Sequence, residues 1–133
     1  MYQLSFGCEI NKIEQNIASV TINDGVEIDL DMITEFDQCL EQIFSGPYGL
    51  LIDKRHHYTY SYEAQLCMAS SPNLIATAVV GHAPVEPKLP PAFYTVRQVD
   101  RLNTRVFRGQ PQGNALAITW LKYQLAKAQP TFN

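Results

Sequence analysis

Residues 74–80 read LIATAVV, a run without a single charge in which four of seven side chains are β-branched. Such a run fits a strand buried on both faces, the position strands occupy inside a parallel sheet. Upstream, Leu50-Leu51-Ile52 is a second continuous apolar run. Between the two lies a stretch from about Ser61 to Ala69 with the length and composition of a helix. Two buried strands joined by one helix make a β-α-β unit, so the two runs are expected to be adjacent and parallel. Were residues 74–80 helical instead, the whole reading would fall.

The pattern extends outward in both directions. Leu4 to Ile13 alternates as a strand does, and Ile17 to Ile22 (IASVTI) is rich in β-branched residues. Gln15-Asn16 between them is suited to a tight turn, so the chain is expected to open with an antiparallel hairpin at one side of the sheet. Asn23-Asp24-Gly25 ends it. From Asp31, the apolar residues Ile33, Phe36, Leu40, Ile43 and Phe44 recur at helical spacing, after an acidic first turn that suits the positive end of the helix dipole. Gly46-Pro47 stops that helix. Beyond residue 80, Gly81 to Pro91 holds four prolines and reads as a loop. Ala92 to Leu102 is helical by the spacing of Phe93, Val96 and Val99, Thr104 to Phe107 is a short strand, and Asn114 to Ala128 is a terminal helix. Its Trp120 is expected to be largely buried against the sheet. The order β-β-α-β-α-β-α-β-α describes one α/β domain over residues 1–133: a mixed sheet opened by an antiparallel hairpin, with helices packed on it.

That order, a strand ending Leu51-Ile52-Asp53, and the close of the chain (Arg105-Val106-Phe107, a short loop, then an Ala-rich helix with Ala115 and Trp120-Leu121) resemble the SpoIIAA-like proteins. These are relatives of the STAS domain of anti-sigma-factor antagonists and sulfate transporters. The resemblance runs from the hairpin to Leu121 and implies a non-enzymatic regulatory or protein-interaction module. It also implies an alternative, since relatives with the CRAL-TRIO type of fold enclose small apolar ligands. In phosphoregulated members of the wider group, a serine in an Asp-Ser-Ser/Thr-Gly turn follows a central strand. Here Asp53 is followed by Lys54-Arg55-His56-His57-Tyr58-Thr59-Tyr60-Ser61, without that glycine, so the switch motif is missing and Ser61 reads as a helix N-cap.

The chain of 133 residues, 46% hydrophobic, is long enough to bury a core without disulfides or metals. Its three cysteines, Cys8, Cys39 and Cys67, form no C-x-x-C pair and read as reduced thiols. With neither a signal peptide nor an apolar run of spanning length in the sequence, the expectation is a soluble, cytoplasmic protein that does not insert in a membrane. Charge is uneven: residues 1–47 hold nine acids against Lys12, whereas residues 85–133 hold seven cations against Glu86 and Asp100. Such a division can align two copies of a chain, and a homodimer is expected, with Arg97 and Arg101 near its rim. A sequence pI near 5.5 argues against nucleic acid.

Candidate site residues gather after Asp53. His56 and His57 are adjacent on an extended segment and point apart, which suits no shared metal ion, and no cofactor is implied. His82 follows the next parallel strand as His56 follows Asp53, so the two are expected at the strands' carboxyl ends, where open α/β sheets bind ligands. Tyr58 and Ser61 complete that surface, and Arg97 with Arg101, one helical turn apart, offers a face for an acidic partner or a phosphate. No nucleophile elbow, phosphate loop or zinc-protease motif occurs. Cys67 with His82 and Asp53 is the one triad that can be written, and Cys67 stands in an apolar helical stretch. The expectation is a protein that binds another protein and does not catalyse a reaction.

Overall fold

A computed structural model of the chain describes residues 2–56, 58–61, 63–64, 73–81, 104–107 and 112–128. Its elements are β1 (Tyr2–Leu4), β2 (Cys8–Glu14), β3 (Ile17–Ile22), β4 (Glu27–Ile28), α1 (Leu30–Ile43), β5 (Tyr48–Lys54), β6 (Thr59–Tyr60), β7 (Leu74–Gly81), β8 (Thr104–Phe107) and α2 (Gln112–Ala128). The apolar run at residues 74–80 is a strand, parallel to β5 with Leu51 beside Ala78 and Asp53 beside Val80. The expected helices at 61–69 and 92–102 and the proline loop lie outside the described residues, apart from a helical turn at Glu63 and Ala64.

The main sheet has six strands in the order β1-β2-β3-β5-β7-β8. The first three pair antiparallel, and β3, β5, β7 and β8 run parallel. One expectation needs correction: Leu4 to Ile13 is two strands. Gly7, at φ +83°, lets the chain reverse after Leu4, and its carbonyl accepts the Asn23 N–H at 2.9 Å. A side chain is strained at that φ, so the glycine is the signal that the alternation had hidden.

Parallel strands added in sequence, each by a right-handed crossover, place their connecting helices on one face. The core bears this out. Alternate residues of the strands, Cys8, Ile10, Ala18, Val20, Ile22, Leu50 and Ile52, meet Ile33 and Leu40 of α1 and Ala64 on one face. The other alternation, Ile17, Leu51, Ala76, Ala78 and Val80, meets Ala117, Leu121 and Leu125 of α2. Gly49 allows this close approach, because a Cβ there would stand 3.2 Å from Leu121 Cδ2. Helix α2 follows the last strand and packs over the β5, β7 and β8 side of the sheet. A single described helix therefore serves the second face, and the β2–β3 side of it carries polar side chains. A small parallel sheet, β4 with β6, pairs Glu27 with Thr59 and Ile28 with Tyr60.

Candidate functional site

Two cross-strand rows form a polar floor on the α2 side. Glu9, Thr21 and Asp53 share one register position across β2, β3 and β5, and Asn11, Ser19 and Leu51 share the next. Alternation forces all of them to the same face. The floor is the base of a groove of about 580 Å³, walled by Asn114 and Ile118 of α2 and closed at the strands' carboxyl end by Asn23, Arg55 and His56. A β-bulge between Lys12 and Glu14 turns both Ile13 and Glu14 into the groove. Glu14 meets Lys122 of α2 at 3.6 Å, and Asn11 Nδ2 donates to Glu9 Oε2 at 2.9 Å.

Asp53 anchors the groove. Its residue is 7% exposed, and Arg55 directs Nε (3.1 Å) and Nη2 onto the same oxygen, Oδ2. The carboxylate in turn raises the Arg55 pKa, chiefly through that hydrogen bond. The result is a guanidinium fixed at the groove mouth with half of its side chain exposed.

The residues after Asp53 divide between the two faces. His56 joins Asp53 in the groove. Tyr58 goes to the opposite face, into the α1 core, where the Lys54 ammonium stands 3.6 Å from its ring centroid and Tyr60 packs edge-on at 5.6 Å. Burial raises the Tyr58 pKa far and pushes Tyr60 to about 12, so neither phenol titrates near neutrality. Tyr58 is thus a core residue, which corrects its place in the expected binding surface. Ser61 is the expected cap: its Oγ accepts the Ala64 N–H at 3.1 Å, while its own N–H donates to Ile28. His57, His82, Arg97 and Arg101 lie outside the described residues, as do Cys67 and Asp100. Cys8 is buried on the α1 face, where desolvation, with Cys39, Glu35 and Glu9 adding to it, pushes its thiol up to about 12.

Sequence reasoning missed Glu9, Asn11, Ser19, Thr21 and Asn114. The signal for the strand residues was present: Ser19 and Thr21 occupy one alternation of IASVTI while Ala18, Val20 and Ile22 occupy the other. Read alone, that marks a solvated face. Only the position of α2 turns it into one side of a groove. Among the described residues, no three His, Cys, Asp or Glu side chains are arranged to hold a metal ion, and no helix is long and apolar enough to cross a membrane.

A mixed sheet opened by an antiparallel meander, with parallel strands following in order and, among the described residues, a terminal helix on the second face, matches the SpoIIAA-like fold. The chain is similar in structure to an uncharacterized protein of the DUF3478 family with a SpoIIAA-like fold from Shewanella loihica PV-4: the TM-score is 0.52 at 15% identity, covering 91% of this chain and 98% of that one. No protein-family model matches the chain, nor does any curated protein.

Proposed function

We propose that the chain is a non-enzymatic protein-interaction module of SpoIIAA-like type, and that a partner docks on the β2–β3 side of the sheet over the Glu9–Thr21–Asp53 row. One observation carries the reading: α2 covers one side of its face and leaves a polar groove beside it, with an arginine held rigidly at the mouth. Fixed polar groups along a half-covered sheet favour recognition of a complementary surface. The groups present are poorly suited to catalysis. Asp53 Oδ2 already accepts two donors from Arg55, which leaves it poorly placed to take a proton from a substrate, and the buried Cys8 thiol is far from the thiolate a nucleophile needs. The apolar-carrier alternative calls for an apolar cavity, whereas carboxylates, amides and hydroxyls dominate this groove. The free thiols of buried Cys8 and half-buried Cys39 suit a reducing, cytoplasmic setting.

The test is retrieval of a partner from the source cell, followed by reconstitution from purified components. Thr21→Arg fills the centre of the floor without entering the core. It is expected to weaken binding at least about tenfold, equal to about 1.4 kcal/mol, with an unchanged melting temperature. A partner that binds the variant as tightly as it binds the original chain would sink the docking site.

A further inference from the structure

The geometry points to a second copy of this chain as the partner: α2 of each protomer seats on the polar floor of the other. This rests on the docking reading above and names its occupant.

Helix α2 is apolar on two sides. Ala117, Leu121 and Leu125 bury one side in the sheet, yet Leu116 and Tyr123, seven residues apart and so on one stripe, are 59% and 62% exposed. A monomeric helix usually presents a polar outer face. The charges of α2 are of one sign: Lys122 and Lys127 are present, and residues 112–128 contain no acid. The floor has the complementary character. It offers the carboxylates of Glu9 and Glu14, and the bulge presents Ile13, 37% exposed, as an apolar contact beside them. An exposed apolar stripe flanked by lysines thus lies beside a polar floor holding acids and an exposed isoleucine, on one face of one molecule.

Helix and floor stand side by side as a step. A twofold axis along the edge of that step brings each helix over the other's floor, so both contacts form at once and the assembly closes as a dimer. Seventeen residues make a helix about 25 Å long, and the two strands beside α2, β2 and β3, make a floor about 10 Å wide. Helix and floor together fall below the scale of about 800 Å² per partner found in standard stable interfaces, which suits a weak, reversible dimer. Leu116, Tyr123 and Ile13 supply the apolar area, and Lys127 with Glu9 supplies charge complementarity across the interface, Glu14 and Lys122 being already 3.6 Å apart within each chain.

Sedimentation velocity of the full chain at micromolar concentration tests this with two variants. Thr21→Arg obstructs the floor, and Tyr123→Glu spoils the helix stripe at an exposed position. The original chain is expected to sediment as a dimer. Each variant is expected to raise the dimer dissociation constant at least about tenfold, with an unchanged melting temperature. Mixing the two variants gives a heterodimer with one intact contact, and it is expected to associate more tightly than either variant does alone. A dimer indifferent to Thr21→Arg overturns the reciprocal arrangement. A monomeric original chain overturns the second copy as occupant. In that case, a different protein whose binding Thr21→Arg still weakens leaves the docking site standing, and one that ignores the variant removes both.

Discussion

On α1, Asp37 and Glu41 stand one turn apart, and Asp37 is drawn toward the buried side of the helix. Burial, with the Glu41 carboxylate adding to it, raises its pKa from 3.8 to about 6. A raised acid favours the protonated folded state, so its stabilisation is present below about pH 4 and is lost as pH rises through about 6. Asp37→Asn is therefore expected to raise stability at pH 7 by about 1 kcal/mol, a figure reduced for partial solvent screening, and to change it little at pH 4. Urea unfolding at the two pH values measures this, and an equal gain at both would remove the titration argument. Arg55 gives the opposite case, a charge whose partner is the buried one. Arg55→Ala takes two donors from Asp53 Oδ2. Because the guanidinium is half exposed and Asp53 keeps further contacts, the expected loss is about 1–2 kcal/mol. Arg55→Lys should recover only part of it, since an ammonium lacks the guanidinium fork. Full recovery by lysine would show that charge alone matters there.

At the scale of elements, the legibility of each segment followed the range of the forces that set it. The apolar runs of β5 and β7 and the 3.6-residue spacing of α1 are local patterns, and both produced the expected elements. Asp29 caps α1 by accepting the Met32 N–H at 3.0 Å, a role its residue type favours. The pairing of β4 with β6 joins two residues to two, and nothing local marks it, because the neighbours that hold it are distant in sequence. Trp120 shows the same limit. Helical spacing places it near the sheet, but the apolar side chains of α2 that are fully buried there are Ala117, Leu121 and Leu125, and the indole is half-buried and packs beside Phe107 at 5.8 Å. At the candidate site, Asp53 and His56 were legible as residues ending a buried strand, whereas the floor depended on which side of the sheet α2 would take. Gly49 records that choice. Gly49→Ala would gain strand propensity of about 0.5–1 kcal/mol, but the new Cβ stands 3.2 Å from Cδ2 of the fully buried Leu121, which must shift to admit it. Overpacking of this kind costs about 1–3 kcal/mol, so a net loss near 1 kcal/mol is expected in denaturant unfolding. A stabilised variant would mean that α2 sits more loosely than its packing implies.

For the whole molecule, the two faces of the sheet carry unequal cores. The α1 side buries Tyr48, Phe44, Leu40, Tyr58 and a row of isoleucines and valines, with Phe44 stacked on Tyr48 at 5.0 Å. On the α2 side, among the described residues, three of the eight buried residues are alanines. Alanine buries little apolar area, so α2 is attached with a smaller share of the hydrophobic free energy than α1. Regions with few buried apolar contacts open at lower free energy than the whole. Helix α2 should therefore leave the sheet before the central strands separate. Amide hydrogen exchange in dilute protein is expected to show Ala117 to Leu125 opening well below the global unfolding free energy, while Val20 and Leu50 follow the global value. The second copy adds a concentration term, because an α2 seated on its partner's floor must leave that floor before it can open. Because the unfolded chain does not dimerise, the same term stabilises against global unfolding, so protection of α2 and of Val20 is expected to rise together with protein concentration, with the gap between them kept. If α2 instead exchanges at the global free energy in dilute protein, the sheet's two faces open as one unit and the unequal cores have no mechanical consequence.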